Sequence, residues 1–526
     1  MLEIAFRPDR TSDVPLPRQL ADHVATLIDT GRLAAGTKLP ATREVATAAS
    51  LSRKSVAGAY EILAGRGLVT AHVGQGTFVA RRPVDGAMPA APTAPAPRAF
   101  AWSGLFARGA GAPLPPALLR SALGTYPFDF RGGRIDPASL PLQDLRWAFG
   151  RPFETRARLQ AVATHADPFG WPPLRREIAR HLTARGVACD AGDVVVVSGL
   201  QQAIDLTARL LVDPGDAVVM EQPGYFGAAL AFAGRGADLI GVDVDDEGLD
   251  TDRLARILRV RRAKLAYVTP ATQCPTGVPM SPRRREALMA LADEHQLPIF
   301  EDDYDCELRY AGPTLPALKA RDPGGHVIHA GTFSKSLFPS LRLGYVVAAR
   351  PLLDRLVAAR LVADFGSSAV AQAALATLLA TRGLERHVRH MRRIYAARLA
   401  ALDAALSREM PEDTRWVTPR SGLLVWVALP PRTDPDRLQQ AALARGVACT
   451  RGDVFHHDGR GDDHIVLSFA ALDADAIAEG IARLGAAVRE AGTSPARAGV
   501  RRRATAGRTR RAGGRAGARR KNDAVG

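Results

Sequence analysis

Apolar positions repeat at helical spacing near the start of the chain, where Leu16, Leu20, Val24, Leu27 and Ile28 are followed by Gly31. The spacing predicts an amphipathic helix over 16–30, ended by the glycine. A shorter helix follows from Thr42 to about Ala49, and Ser52 stands as the N-cap of a third, whose Val56, Tyr60 and Leu63 face inward. Two short runs, Leu68–Ala71 and Thr77–Ala80, read as strands around the glycine-bearing turn His72–Gly76. Further along, the pattern changes. Unbroken apolar runs at Val194–Ser198, Ala217–Glu221, Leu239–Val244, Leu265–Thr269, Pro298–Asp302, Val327–Gly331 and Tyr345–Ala349 alternate with helix-length spacers. Continuous rather than alternating hydrophobicity predicts an α/β domain with a mainly parallel sheet covered on both faces.

The two patterns are separated by eight prolines among Ala and Gly between residues 83 and 116, which excludes a helix or a sheet interior there. The expected organisation is therefore a small helical head at 13–80, a Pro/Ala-rich linker at 81–120, a large α/β domain at 121–490 and a tail at 491–526. A chain of 526 residues suits such a division, at roughly 150 residues per domain.

The net charge of +16 suggests a polyanionic partner, but much of it sits at one end. Between 497 and 526 there are eleven Lys and Arg against one Asp, so the tail is expected to be a disordered basic arm. Cys189, Cys274, Cys306 and Cys449 stand far apart with no paired spacing, which argues against a zinc site and a disulfide framework and fits a reducing compartment. With no apolar stretch near the ~18 residues of a membrane span, a cytoplasmic location is expected.

The third helix of the head opens with Ser52, Arg53, Lys54 and Ser55. Its free amides and its dipole favour phosphate, and Arg53 and Lys54 are long enough to reach phosphates or base edges. Three helices, then a hairpin, make a winged helix-turn-helix for double-stranded DNA.

In the large domain, Lys335 follows a strand within His329–Lys335, is flanked by hydroxyl residues and precedes Arg342 by seven positions. This arrangement offers an amine for a Schiff base and a cation for a phosphate on one cofactor. The run Leu297–Tyr304 brings a buried strand out at Asp302, whose carboxylate can pair with a protonated pyridine nitrogen, while Tyr304 can hydrogen-bond the ring's phenolic oxygen. Ser198, Gly199, Leu200 and Gln201 form a tight turn into a helix, whose amides suit a phosphate. Tyr225, at the end of the next strand, can stack on a ring.

The stretches GRLAAGTKLPATREVA, LSRKSVAGAYEILAGRGLV and GQGTFVA resemble the DNA-binding domain of the GntR family. That resemblance implies a phosphate contact for Arg43, major-groove work for Arg53 and Ser55, and a wing tip at Gly74, Gln75 and Gly76. Residues 125–490 resemble fold-type I, class I aminotransferases. The pairing of the two is similar to the MocR (GabR-like) regulators. It implies pyridoxal 5'-phosphate as cofactor, with Lys335 as the Schiff-base lysine, Asp302 at the pyridine nitrogen, Tyr304 at the phenolic oxygen and Tyr225 over the ring. Ser198, Gly199, Leu200, Gln201, Ser334 and Arg342 would surround the phosphate. A head-to-tail homodimer is implied as well.

Three positions depart from the family pattern. Cys274 stands where an Asn would hydrogen-bond the ring oxygen, leaving that bond missing or supplied by Gln273. His165 replaces a tyrosine expected to reach the phosphate across the dimer. Val466 occupies the place of the carboxylate-binding arginine, and a valine cannot form the bidentate pair that orients an amino acid. Either another cation such as Arg420 takes over, or the effector is not an amino acid held there, pyridoxal phosphate itself being one candidate. The function expected is a pyridoxal-phosphate-dependent transcription regulator sensing the cofactor, an amine or an amino acid. The alternative is a working aminotransferase with an appended DNA-binding domain; residual transaminase activity is compatible with both.

Overall fold

The computed structural model describes residues 4, 6–12, 14–72, 76–80, 105, 124–164, 167–312 and 315–492. The linker expected at 81–120, Leu105 apart, and the tail from 493 onward lie outside the described residues, as do Gly74, Gln75 and His165. The chain divides into two compact units, Met1–Leu105 and Phe106–Gly526.

The first unit holds α1 (Leu16–Asp29), α2 (Thr42–Ala48), α3 (Arg53–Gly65) and a hairpin of β1 (Val69–His72) and β2 (Gly76–Val79). Ser52 caps α3 as its position demands, its Oγ accepting the Ser55 amide at 3.0 Å. Leu20 and Val24 of α1, Val56 and Leu63 of α3, and Val69 and Val79 of the hairpin are buried together, so the periodic face read in the sequence is the core face. The hairpin is antiparallel, with Val69 opposite Val79 and His72 opposite Gly76.

The second unit begins with the short strand β3 (Phe128–Asp129) and is built on an eight-stranded sheet. The strands of that sheet are β4 (Val194–Val197), β5 (Ala217–Gln222), β6 (Asp238–Asp245), β7 (Gly248–Leu249), β8 (Leu265–Val268), β9 (Ile299–Asp303), β10 (Val327–Thr332) and β11 (Gly344–Val347). They lie in the order β4, β11, β10, β9, β8, β5, β6, β7. The run from β10 to β6 is parallel, whereas β11 is antiparallel to both β10 and β4. Separate apolar clusters line the sheet. Val195, Val197, Tyr267 and Phe300 belong to one; Val219, Ala266, Val268 and Ile299 belong to another. This double burial is why the strands read as unbroken apolar runs.

A smaller antiparallel sheet follows, made of β12 (Arg415–Trp416), β13 (Leu424–Ala428), β15 (Thr450–Arg451) and β16 (His464–Ser468), and it packs against the helices Gly383–Glu409 and Ala474–Gly492. Between β13 and β15, the short strand β14 (Val447–Ala448) pairs in parallel with β3. The last helix enters the segment expected as tail by two residues, because Ala491 continues the buried face of Ile477, Ile481, Leu484 and Val488. Among the described residues no helix is long and apolar enough to cross a membrane.

Candidate functional site

The sheet's C-terminal strand ends carry the candidate residues, where open α/β sheets place their ligands. Strand β9 ends in three consecutive acids, and the two-residue repeat of a strand sends neighbours to opposite faces. Glu301 takes the Leu318 amide at 2.6 Å and shares a 2.8 Å hydrogen bond with His329 Nδ1. Asp303 is paired with Arg185 at 2.7 Å. Asp302, between them, is 2% exposed and accepts a hydrogen bond from the Tyr267 hydroxyl on Oδ2, while Oδ1 meets no donor. Burial pushes the Asp302 carboxyl up to about 8, with the nearby carboxylates of Asp303 and Glu221 adding to the effect. An acid so placed lacks one partner: a cationic N–H.

Lys335 lies in the loop after β10, half-buried, with no hydrogen bond or ion pair to a described residue. Ser334 beside it is held by Thr332, whose Oγ1 accepts the Ser334 amide and donates to its Oγ. Tyr304 follows Asp303 directly, and burial raises its hydroxyl well above the ordinary range. Tyr225 donates to Gln201 Oε1 at 3.0 Å, and Gln201 Nε2 donates to the Gly227 carbonyl at 2.8 Å, so Gln201 fixes the Tyr225 ring. A side chain at Gly227 would meet the Tyr225 ring at 2.5 Å.

After β4, Gly199 turns the chain with φ +90° into the helix Leu200–Leu211. A Cβ at Gly199 would sit 2.9 Å from Arg342 Nη2, which itself donates to the Ser198 carbonyl at 2.9 Å. The backbone angle therefore requires glycine here, and a side chain would also push the Arg342 guanidinium off the turn. The first-turn amides of Leu200 and Gln201, the helix dipole and Arg342 together form an anion cradle. The Ser198 hydroxyl is engaged elsewhere, 2.9 Å from both Asp364 Oδ2 and Ser367 Oγ. Its position thus braces the turn.

The departures noted in the sequence take definite form. Gln273 does not replace the missing donor: its Nε2 is spent on the Pro223 and Cys274 carbonyls at 2.7 and 2.8 Å, and its Oε1 accepts from Thr276. Val466 is 1% exposed and packs against Cys274 and Phe455. Arg420 is exposed and lies close enough to Arg309 for the two like charges to repel. Tyr267 and Asp305 were not singled out in the sequence. The signal for Tyr267 was a hydroxyl in a fully buried strand, which must find a partner. Asp305 is 2% exposed, and burial pushes it up to about 6 against the opposing pull of Lys335 and of the Leu423 amide.

This donor set fits pyridoxal phosphate. It combines an orphaned buried carboxylate oxygen for the ring nitrogen, an unpaired lysine, an aromatic ring held in place by Gln201, and an anion cradle that a glycine keeps open. Among the described residues, no group of three or more His, Cys, Asp or Glu side chains is arranged for a metal ion. In the first unit Arg43, Ser52, Arg53 and Lys54 are exposed and Ser55 is half-buried at the start of α3. Gly76 has φ +114°.

Residues 139–484 match the family described as aminotransferase class I and II, and residues 16–79 match that of bacterial regulatory proteins, gntR family. The chain is 33% identical to the probable rhizopine catabolism regulatory protein MocR of Rhizobium meliloti, over 91% of this chain and 95% of that protein. It is 32% identical to the transcriptional regulator TauR of Rhodobacter capsulatus, over 90% of this chain and 96% of the relative. Among solved structures, LysN of Thermus thermophilus, an α-aminoadipate aminotransferase complexed with N-(5'-phosphopyridoxyl)-L-leucine, superposes with a TM-score of 0.69. The match has 33% identity and covers 74% of this chain and 99% of that one.

Proposed function

The chain belongs to the MocR subfamily of GntR regulators, pyridoxal-phosphate-dependent proteins that join a DNA-binding head to a class I and II aminotransferase domain, and from that premise we propose that ligand occupancy at Lys335 controls operator binding. The observation that carries this reading is the unpartnered Asp302 Oδ1, buried on the same strand-end surface as an unpaired lysine. When bound, pyridoxal phosphate supplies an aldehyde for the Lys335 amine and an electron-withdrawing ring. Asp302, ionised, holds the proton on the ring nitrogen, and the Tyr267 hydroxyl keeps that carboxylate in position. Tyr304 would reach the phenolic oxygen, and Tyr225, fixed by Gln201, would cover the ring. Arg342, Ser334 and the amides at Gly199, Leu200 and Gln201 would hold the phosphate, with Ser198 bracing the turn.

In the head, α3 presents Arg53, Lys54 and Ser55 to the major groove and Arg43 meets a phosphate, with the hairpin of β1 and β2 as the wing. A head-to-tail homodimer in the cytoplasm places two heads on two half-sites. The effector, whether pyridoxal phosphate, an amine or an amino acid, acts by binding the DNA-competent and DNA-incompetent arrangements with different affinity. Domain limits of 13–80 and 121–492 go with this reading.

The test is fluorescence anisotropy with duplex DNA taken from just upstream of the protein's own gene, at fixed salt, while pyridoxal phosphate and a panel of amines and amino acids are titrated. A several-fold shift in affinity is expected. DNA affinity indifferent to the cofactor and every amine would overturn the reading. A second reading, a working aminotransferase, is favoured by the 33% identity to the 2-aminoadipate transaminase of Thermus thermophilus over 74% of this chain. It is opposed by the apolar surroundings of Val466. Sustained keto-acid production with an amino acid would establish it.

A further inference from the structure

Close to Lys335, one side of the site is apolar. Val466 packs with Cys274 and Phe455, and Leu424, Val454 and Trp426 close round them, in contact with Tyr225 and Tyr304. The wall is rigid. Trp426 sits opposite Val466 across β13 and β16, meets the Phe455 ring edge-on at 6.1 Å, and is stacked on its other side against His464 at 4.6 Å. Phe455 also meets Phe226 edge-on at 6.0 Å.

Buried acids and Lys335 lie near this wall, and Trp426 within it also meets the rings of His456 and His464. Cys274 and Tyr304 lie in the field of the carboxyl groups of Asp302, Asp305 and Glu221, and Cys274 in that of Lys335 as well. Arg342 acts on Tyr225, but is already tied to the Ser198 carbonyl in the anion cradle. In an α-amino acid the carboxylate is two bonds from the nitrogen, so whatever brings the amine to Lys335 brings the carboxylate to the same few ångströms. Desolvating a carboxylate against Val466, Cys274 and Phe455, near buried acids, is costly without a paired cation. An amine whose neighbouring carbon carries hydrogen in place of the carboxylate avoids that cost, and its apolar body gains contact with the aromatic wall.

We propose that this site takes primary amines with an apolar or aromatic body and no carboxylate, and discriminates against the corresponding amino acids. The proposal rests on the reading of the Lys335 region as the pyridoxal phosphate site, and the two fail separately. The full-length protein is first loaded with pyridoxal phosphate, followed by its visible absorbance, with Lys335→Ala as control. Failure to load, or loading indifferent to Lys335, overturns the site reading and the proposal with it. The loaded protein is then titrated calorimetrically with two matched pairs: 2-phenylethylamine against L-phenylalanine, and n-pentylamine against L-norleucine. Each amine is expected to bind at least tenfold more tightly than its amino acid. Equal or tighter binding of the amino acid, or no binding of either amine, overturns the proposal while leaving the cofactor site intact. Val466→Arg, checked for retained loading, is expected to shift the ratio at least tenfold toward L-phenylalanine, and an unmoved ratio counts against it. If that variant does not load, Trp426→Ala replaces it, with an expected loss of at least fivefold in 2-phenylethylamine affinity; unchanged affinity is the adverse result.

Discussion

Replacing Asp302 by Asn in the cofactor-free protein isolates the electrostatic cost of keeping an unpaired acid in the site. The carboxyl is pushed up to about 8 by burial, against an ordinary value of about 4 in an unfolded chain. A raised carboxyl means that the folded state holds a proton the unfolded state has released, so stability is full at low pH and falls as pH rises from about 4 toward 8. Between pH 6 and pH 8 the folded carboxyl goes from almost wholly protonated to half ionised, while the unfolded one is ionised throughout. Linkage converts this into about 2 kcal/mol of stability lost over those two pH units, from this one group. Urea unfolding of cofactor-free wild type and Asp302→Asn at pH 6, 7 and 8, followed by near-ultraviolet circular dichroism, measures the difference. Glu221, pushed up to about 7 by burial, and Asp305, up to about 6, add slopes of the same sign to both proteins, so the difference between the two slopes is the quantity read. Wild type should lose about 2 kcal/mol more than the variant. Loading with pyridoxal phosphate should remove most of that excess, because the ring N–H then pairs with the ionised form. Parallel pH slopes for the two cofactor-free proteins would refute the reasoning.

Other expectations can be checked directly. Gly199→Ala places a side chain at φ +90° and 2.9 Å from Arg342; the strain of about 1–3 kcal/mol should lower the thermal midpoint, and displacement of Arg342 should weaken pyridoxal phosphate binding measured by absorbance titration. Ser52→Ala removes the hydroxyl that caps α3 and should cost about 1 kcal/mol in the unfolding of the head, read by calorimetry. Arg53→Ala should weaken DNA binding and, if Arg53 meets a phosphate, reduce the slope of log affinity against log salt by about 1; an unchanged affinity and slope would remove Arg53 from the interface.

Much of the fold was legible because it is locally encoded. The helical face of Leu20 and Val24, the Ser52 cap and the apolar runs of β4, β5, β6, β8, β9, β10 and β11 each depend on neighbours a few residues away, and the structure forms these elements within a residue or two of where the pattern places them, whereas the two-residue β7 was not read in the sequence. The antiparallel setting of β11 was not legible, because a fully buried strand reads the same in either direction. Lys335 and Asp302 could likewise be identified as candidates from the strands they follow and end. Which of the three acids at the end of β9 stays available was decided by pairing across the fold: Arg185 takes Asp303, His329 and the Leu318 amide take Glu301, and Tyr267, 35 residues away, takes only one oxygen of Asp302.

The amino-acid order by itself determined a DNA-binding head and an α/β body and marked a lysine and a glycine-bearing turn as candidates for one site, since helical period, strand hydrophobicity and glycine-bearing turns act over short distances. Tertiary structure alone decided how the site is finished. It spends Gln273 on backbone carbonyls, ties the Ser198 hydroxyl to Asp364 across 166 positions, and seats Val466 against Cys274 and Phe455. The physical reason is that hydrogen-bond partners and apolar neighbours are assigned by proximity in space, and residues far apart in the chain carry no local mark of the neighbours they will meet.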